Sequence, residues 1–220
     1  MNLSELFSAS IDPKYKAFHE KLIPGHTILG IRTPVLEQYA KTLDPSFLET
    51  PLESSYEYSL LYGFVLGRAK LDLSSRLRYL KKWLPYNTNW ASNDMVCARQ
   101  KWMRKHKQEV LSFLDSLLQS QNEFDQRFAY TSFLMHFKEE SDFETISQRI
   151  QKYKASNYYT QMALAWLLSE WLIKDFEKTI AFMETLNLDP FTYNKALQKT
   201  IESKRTPIDI KKRCSTLKRK

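Results

Sequence analysis

Residues 110–118, VLSFLDSLL, place Val110, Leu111, Leu114, Leu117 and Leu118 on one stripe of a helix. Nowhere does a sustained period-two pattern appear between Asn-Gly or Asp-Gly turns. The expected fold class is therefore all-α. Outward from this stretch, helix starts are marked by proline. Asp12-Pro13, Thr33-Pro34, Asp44-Pro45, Thr50-Pro51, Asp189-Pro190 and Thr206-Pro207 each join a side-chain acceptor to a residue with its φ already set. All six are expected to open helices.

A frame of about 33 residues runs through these helices. Gly63, Val96, Ala129, Ala163 and Ala196 recur at small or compact positions, each within a helix-like segment and with another such segment between. A two-helix unit of this length stacks as a solenoid, hiding its apolar face only against neighbouring units. The Trp and Pro landmarks of tetratricopeptide repeats are missing, so the expectation is an α-solenoid of HEAT-like two-helix repeats, one domain over residues 1–220. Residues 206–220 form either a basic last helix or a tail. Two positions before the landmarks stand Leu61, Asp94, Arg127, Gln161 and Asn194. The four polar side chains among them either line one concave surface or form a hydrogen-bonding ladder between repeats.

The chain has 220 residues, 43% hydrophobic and 14% aromatic, which excludes a disordered polypeptide. No apolar run approaches the ~18 residues of a membrane-spanning helix. The start, Met1 to Phe7, has no basic segment before an apolar stretch and does not read as a signal peptide. Cys97 and Cys214 are far apart, which excludes a disulfide scaffold and suits a reducing cytoplasm. His19, His26, His106 and His136 lack metal-ligand spacing, and four glycines leave no phosphate-binding glycine loop, so neither metal nor cofactor is expected. Nothing indicates an oligomer, and a monomer is expected.

Net charge is +8, unevenly spread. Residues 68–107 hold eleven Lys/Arg against Asp72 and Asp94, and residues 195–220 hold ten against Glu202 and Asp209, while the remainder is net acidic. Two basic blocks fit a polyanion partner. Trp83, Trp90 and Trp102 are interleaved with the cations of the first block, as suits nucleic-acid backbone contact beside aromatic faces.

Within that block Trp90 and Asp94 are four apart and share a helix face, with Arg99, Lys101, Arg104 and Lys105 following. A carboxylate beside an indole can face a cationic ligand while the cations hold phosphates. The alternative is a salt bridge from Asp94 to a nearby Arg, with Trp90 in the core. Arg127 could clamp a phosphate or pair with Asp125. Trp166, in apolar surroundings, reads as core by default.

At these residues the chain resembles the AlkD-like DNA alkylation repair family, HEAT-like alkylpurine DNA glycosylases. The resemblance runs from about Asp12 to Ile201. It rests on Leu29-Gly-Ile-Arg-Thr-Pro34, Trp90-x-x-x-Asp94, Gln126-Arg-Phe-Ala129, Gln161-Met-Ala-Leu-Ala-Trp166 and Leu188-Asp-Pro-Phe-Thr-Tyr-Asn-Lys-Ala196. It implies that Trp90, Asp94 and Trp166 are catalytic and that Arg127 contacts DNA in the same groove. Arg99, Lys101, Arg104, Lys105, Gln161 and Asn194 complete the expected duplex-DNA surface. The implied reaction is hydrolysis of the N-glycosidic bond of a cationic alkylated purine, without an extrusion pocket. Ser169 stands where active members are expected to carry an arginine, and Met135 where a lysine is expected. Phe18 lies nearest an expected aromatic hydroxyl. These departures motivate the alternative of a non-catalytic DNA-binding relative.

Overall fold

A computed structural model describes residues 7–219; the amino-terminal stretch read for a targeting signal, apart from Phe7, lies outside them. All regular structure among these residues is helical, with two isolated bridges, Ile11–Ile31 and Thr27–Ser55. The fold is an all-α helical repeat, as expected. The chain divides into two compact units, residues 1–106 and 107–220.

In the first unit, α1 (Pro13–Leu22), α2 (Thr33–Thr42), α3 (Tyr56–Arg68), α4 (Leu73–Trp83) and α5 (Trp90–Arg99) follow one another, with short 3-10 turns at Pro45–Glu49, Leu84–Tyr86 and Lys101–Lys105. Helix α3 is the centre: α2, α4 and α5 all pack on it. Its residues from Tyr56 to Leu66 are accordingly buried almost without interruption, Glu57 among them. The Glu57 carboxylate accepts the backbone N–H groups of Leu29, Gly30 and Ile31 at 2.9, 2.7 and 3.3 Å. Charge-assisted bonds of this kind compensate the burial of an ionised side chain. Gly30 turns the segment with φ +98°, and a Cβ there would sit 2.8 Å from the Lys16 Cβ. The Leu29–Pro34 stretch thus binds the first two helices to α3, and Pro34 then opens α2.

The second unit contains α6 (Lys107–Leu118), α7 (Glu123–His136), α8 (Asp142–Lys152), α9 (Tyr158–Lys174), α10 (Phe176–Thr185), α11 (Pro190–Glu202) and α12 (Ile208–Thr216). Helix α9 packs against α7, α10 and α11, and α12 packs against α11. The stripe of residues 110–118 is buried on α6. Flanking helices show one apolar edge, as on α8 with Ile146 and Ile150, whereas α9 is buried on most sides.

The landmarks Gly63, Val96, Ala129, Ala163 and Ala196 fall on α3, α5, α7, α9 and α11, every second helix, and all are buried. They mark points of close approach. A Cβ on Gly63 would lie 2.4 Å from a methyl of Val96, so these two landmarks touch.

The proline signals need one correction. Asp12 and Asp189 cap α1 and α11 with their carboxylates, and Asp44 caps a 3-10 turn. Thr50-Pro51 opens nothing, because the chain stays irregular until Ser55 caps α3 through its Oγ to the Tyr58 N–H. At Thr206-Pro207 the threonine hydroxyl donates backward to the Thr200 carbonyl at 2.7 Å, and α12 follows without a side-chain cap.

Gly→Ala inside a helix ordinarily stabilises by about 1 kcal/mol. Gly63→Ala is expected to destabilise by about 1–3 kcal/mol instead, because the stiff Val96 side chain cannot yield. Val96→Ala in the same chain should recover part of the loss, and urea melts of the single and double variants measure the coupling. Glu57→Gln exchanges a carboxylate for an amide that presents donors to donors, and should lower stability by about 1–3 kcal/mol in the same assay.

Candidate nucleic-acid interface

In the first unit, Asn89 caps α5 by accepting the Ser92 N–H at 2.8 Å. That start places Trp90 at the first helical position and Asp94 one turn on, on the same face, both partly exposed. The carboxylate is held from beneath. The fully buried Asn87 donates its amide to Asn93 Oδ1 at 2.9 Å, and the equally buried Asn93 donates to Asp94 Oδ1 at 2.9 Å. A chain of two buried amides therefore orients Asp94 with hydrogen bonds that polarise one another.

Arg99 closes the other end of α5, roughly 14 Å along the axis from Trp90 at 1.5 Å per residue. Its guanidinium is bound to Glu37, donates to the Met95 carbonyl at 3.3 Å and lies 4.8 Å from the Phe64 ring centre. With Glu37, Lys41, Phe64, Arg68 and Lys101 it lines a groove of about 490 Å³. Lys101, Arg104 and Lys105 project from the 3-10 turn into solvent.

The first basic block is thinner than its formal charge. Arg76 is half-buried, which pushes its pKa down, and donates to the carbonyls of Leu66, Ala69 and Leu71. Lys82 caps the carbonyls of Leu48, Glu49 and Thr50, Arg78 pairs with Glu49, and Lys107 pairs with Asp142 and Glu139. Of the interleaved indoles, Trp83 and Trp102 are core residues, contrary to the expectation of a shared aromatic surface. Trp83 is fully buried with its N–H on Ser59, and Trp102 gives its N–H to Gln100 at 2.9 Å. Their bulk fills the unit's interior, and the core itself satisfies their single polar atom. Trp90 alone of the three is partly open to solvent.

In the second unit the polar positions before the landmarks form the ladder. Arg127 on α7 is only 6% exposed and donates to the Tyr159 carbonyl of α9 at 3.0 Å. Gln161 on α9 lies near Asp189, the cap of α11, and helps lower its pKa. Burial pushes the Asp189 carboxyl up, but bonds from Thr192 together with Gln161 outweigh it and hold the group below its ordinary value. Asn194 on α11 donates to the Arg219 carbonyl at 2.7 Å and accepts the Arg219 N–H at 2.8 Å. Each side chain thus ties its helix to the next element. Arg127 is a buried part of this packing in place of the open DNA contact expected of it, while Asn194 stays half-exposed. Trp166 is partly exposed on α9, and its carbonyl accepts the hydroxyl of the buried Ser169 at 2.7 Å. Met135 is half-buried on α7.

The basic carboxy-terminal stretch is likewise partly consumed. Arg205, Arg213 and Arg219 pair with Glu170, Glu177 and Glu184, three glutamates seven residues apart. Arg213 also lies over the Phe176 ring at 4.2 Å, and Arg219 over Tyr193 at 3.7 Å.

Two features escaped the sequence reading. Tyr15 on α1, three residues before Phe18, carries the aromatic hydroxyl that Phe18 lacks; it stands 3.4 Å from the Thr33 hydroxyl, with its ring 5.2 Å from Arg32 and 4.3 Å from His19. Its one-turn spacing from Phe18 was the available signal. The Asn87–Asn93 relay had none, since asparagines near a cap are common. Among the described residues no group of three or more His, Cys, Asp or Glu could hold a metal, and no helix is long and apolar enough to cross a membrane.

No curated protein matches the chain significantly. The family model described as DNA alkylation repair enzyme does match, over residues 2–200, and takes in every helix from α1 to α10 and most of α11. On that coverage, and with the helical repeat it accompanies, the chain belongs to the DNA alkylation repair enzyme family.

Proposed function

We propose that this protein is a glycosylase that hydrolyses the N-glycosidic bond of cationic alkylated purines in duplex DNA. The observation that carries the reading is Asp94, held by the buried Asn87–Asn93 relay on the same face of α5 as the partly exposed Trp90. A purine alkylated on a ring nitrogen already bears positive charge. When its bond to C1′ breaks, the electron pair stays on the base and neutralises it, so no general acid is needed. The positive charge passes to the sugar. There a carboxylate stabilises it, and water adds to C1′ with its proton leaving to solvent.

The inventory matches this economy of means. One carboxylate opposite a unit charge at ~4 Å is worth about 4 kcal/mol at an effective dielectric of ~20. That is roughly a thousandfold in rate. Asp94 supplies the carboxylate and directs the water, while Trp90 offers an indole face to the lesion. Asn93 is a positioning residue that acts through Asp94. Lys101, Arg104 and Lys105 contact phosphates, and Arg127 contributes by joining α7 to α9.

A second reading, a non-catalytic DNA-binding relative, is favoured by one particular. Ser169 is buried with its hydroxyl returned to its own helix, so nothing cationic stands at that position on α9.

Release of methylated purine from treated duplex DNA decides between them. Asp94→Asn should slow release by roughly 10²–10³-fold while leaving affinity for undamaged duplex within a few-fold. Wild-type protein that binds duplex but releases no base above background would leave the second reading standing. Separately, Lys101→Gln and Lys105→Gln should each reduce the salt slope of duplex binding by about one.

A further inference from the structure

The second unit carries an exposed aromatic cluster that the glycosylase reading does not use. Tyr158, the first residue of α9, is 57% exposed, and Phe191, in the first turn of α11, is 39% exposed. Their ring centres are 5.8 Å apart at 43°. Tyr159 continues the cluster inward at 5.2 Å from Tyr158, and Phe124 on α7 follows at 5.0 Å from Tyr159. The row thus crosses the amino-terminal ends of three successive landmark helices. Single exposed apolar residues need no explanation, but contiguous ones mark an interaction surface.

Two lysines stand beside Phe191. A shallow cleft of about 350 Å³ beside Phe191 is lined by Pro190, Phe191, Asn194, Lys195, Gln198 and Lys218, with no carboxylate among them. Lys195 lies 5.6 Å from the Phe191 ring centre, and Lys218 is held across the cleft by a 2.7 Å bond to Gln198.

We infer that Tyr158 and Phe191, with Lys195 and Lys218, form a stacking platform for unpaired nucleotides of DNA, a binding role that the proposed hydrolysis does not use. Open aromatic faces beside a positive, acid-free cleft are what single strands require: rings take the bases and lysines follow the backbone. A paired base inside a duplex keeps its faces stacked on its neighbours and offers none to Tyr158. The two rings are tilted and too close for a base to slide between them, because two stacking distances need about 6.8 Å at 3.4 Å each. Each ring therefore takes a base on its outer face. The lysines, with no acidic counterpart in the cleft, favour a polyanion over an apolar or proline-rich peptide.

The test uses the full-length protein and a fluorescein-labelled oligothymidylate of about 12 nucleotides, titrated across a range of salt. Tyr158→Ala/Phe191→Ala should weaken binding roughly ten- to hundredfold with the salt slope unchanged, since stacking releases no counterions. Lys195→Gln/Lys218→Gln should reduce the slope by up to about two. Both pairs are surface residues, and unchanged thermal melts establish that the fold is kept. Oligothymidylate affinity within twofold of wild type in the aromatic variant overturns the proposal, as does tighter binding of a proline-rich peptide than of the oligonucleotide. Asp94→Asn should leave oligothymidylate binding intact, and the aromatic variant should retain base release from duplex. Failure here is thereby distinguishable from failure of the glycosylase reading.

Discussion

The structure depends on how closely its equivalent helices can approach. Gly63 against Val96 shows the constraint at its tightest, with room for no further atom. Ala129, Ala163 and Ala196 keep the same small footprint on α7, α9 and α11. Small side chains at the contact let backbones approach, and larger apolar side chains on either side then fill the space at interior density. This is why α3 and α9 are buried nearly all round while α8 shows one apolar edge. It is also why the polar residues two positions earlier come within reach of the next landmark helix. Arg127 and Gln161 reach across that short gap, while Asn194 bonds the backbone of Arg219 beyond α12.

Formal charge and usable charge differ in both basic blocks. The chain's excess of eight positive charges suggests a broad electropositive face. Yet Arg76 and Lys82 spend their donors on backbone carbonyls, and Arg99 and three carboxy-terminal arginines are tied to glutamates. Arginine's planar fork suits such fixed pairing, whereas lysine, a strongly hydrated point charge, stays outward. Exposed cations include Lys70, Lys81, Lys101 and Lys105 in one unit and lysines such as Lys218 in the other. Surface ion pairs of the arginine kind contribute little to stability, so their main effect here is to set which cations face outward.

In the reaction we propose, the orientation of the Asp94 carboxylate is what counts. Its orientation comes from two amides that are themselves sealed from water. Such preorganisation is what electrostatic stabilisation of a developing charge requires, because nothing need rearrange as the charge appears. The indole at Trp90 shares the face by virtue of helix geometry alone.

The sequence by itself determined the helical class, the repeat frame, the family and the placement of Trp90 and Asp94 on one face. All of these are periodic or local properties, and period and spacing survive in one dimension. Only the tertiary structure decided which aromatic and charged residues face outward. Trp83 and Trp102 look like Trp90 in sequence, and what separates them is whether a core acceptor, Ser59 or Gln100, meets the indole N–H. Glu57 meets backbone amides 26 to 28 residues away, and Arg205, Arg213 and Arg219 meet glutamates 35 or 36 residues away. Those pairings exist because stacking of helices brings distant segments together, and no local pattern encodes which partner a given charge will find.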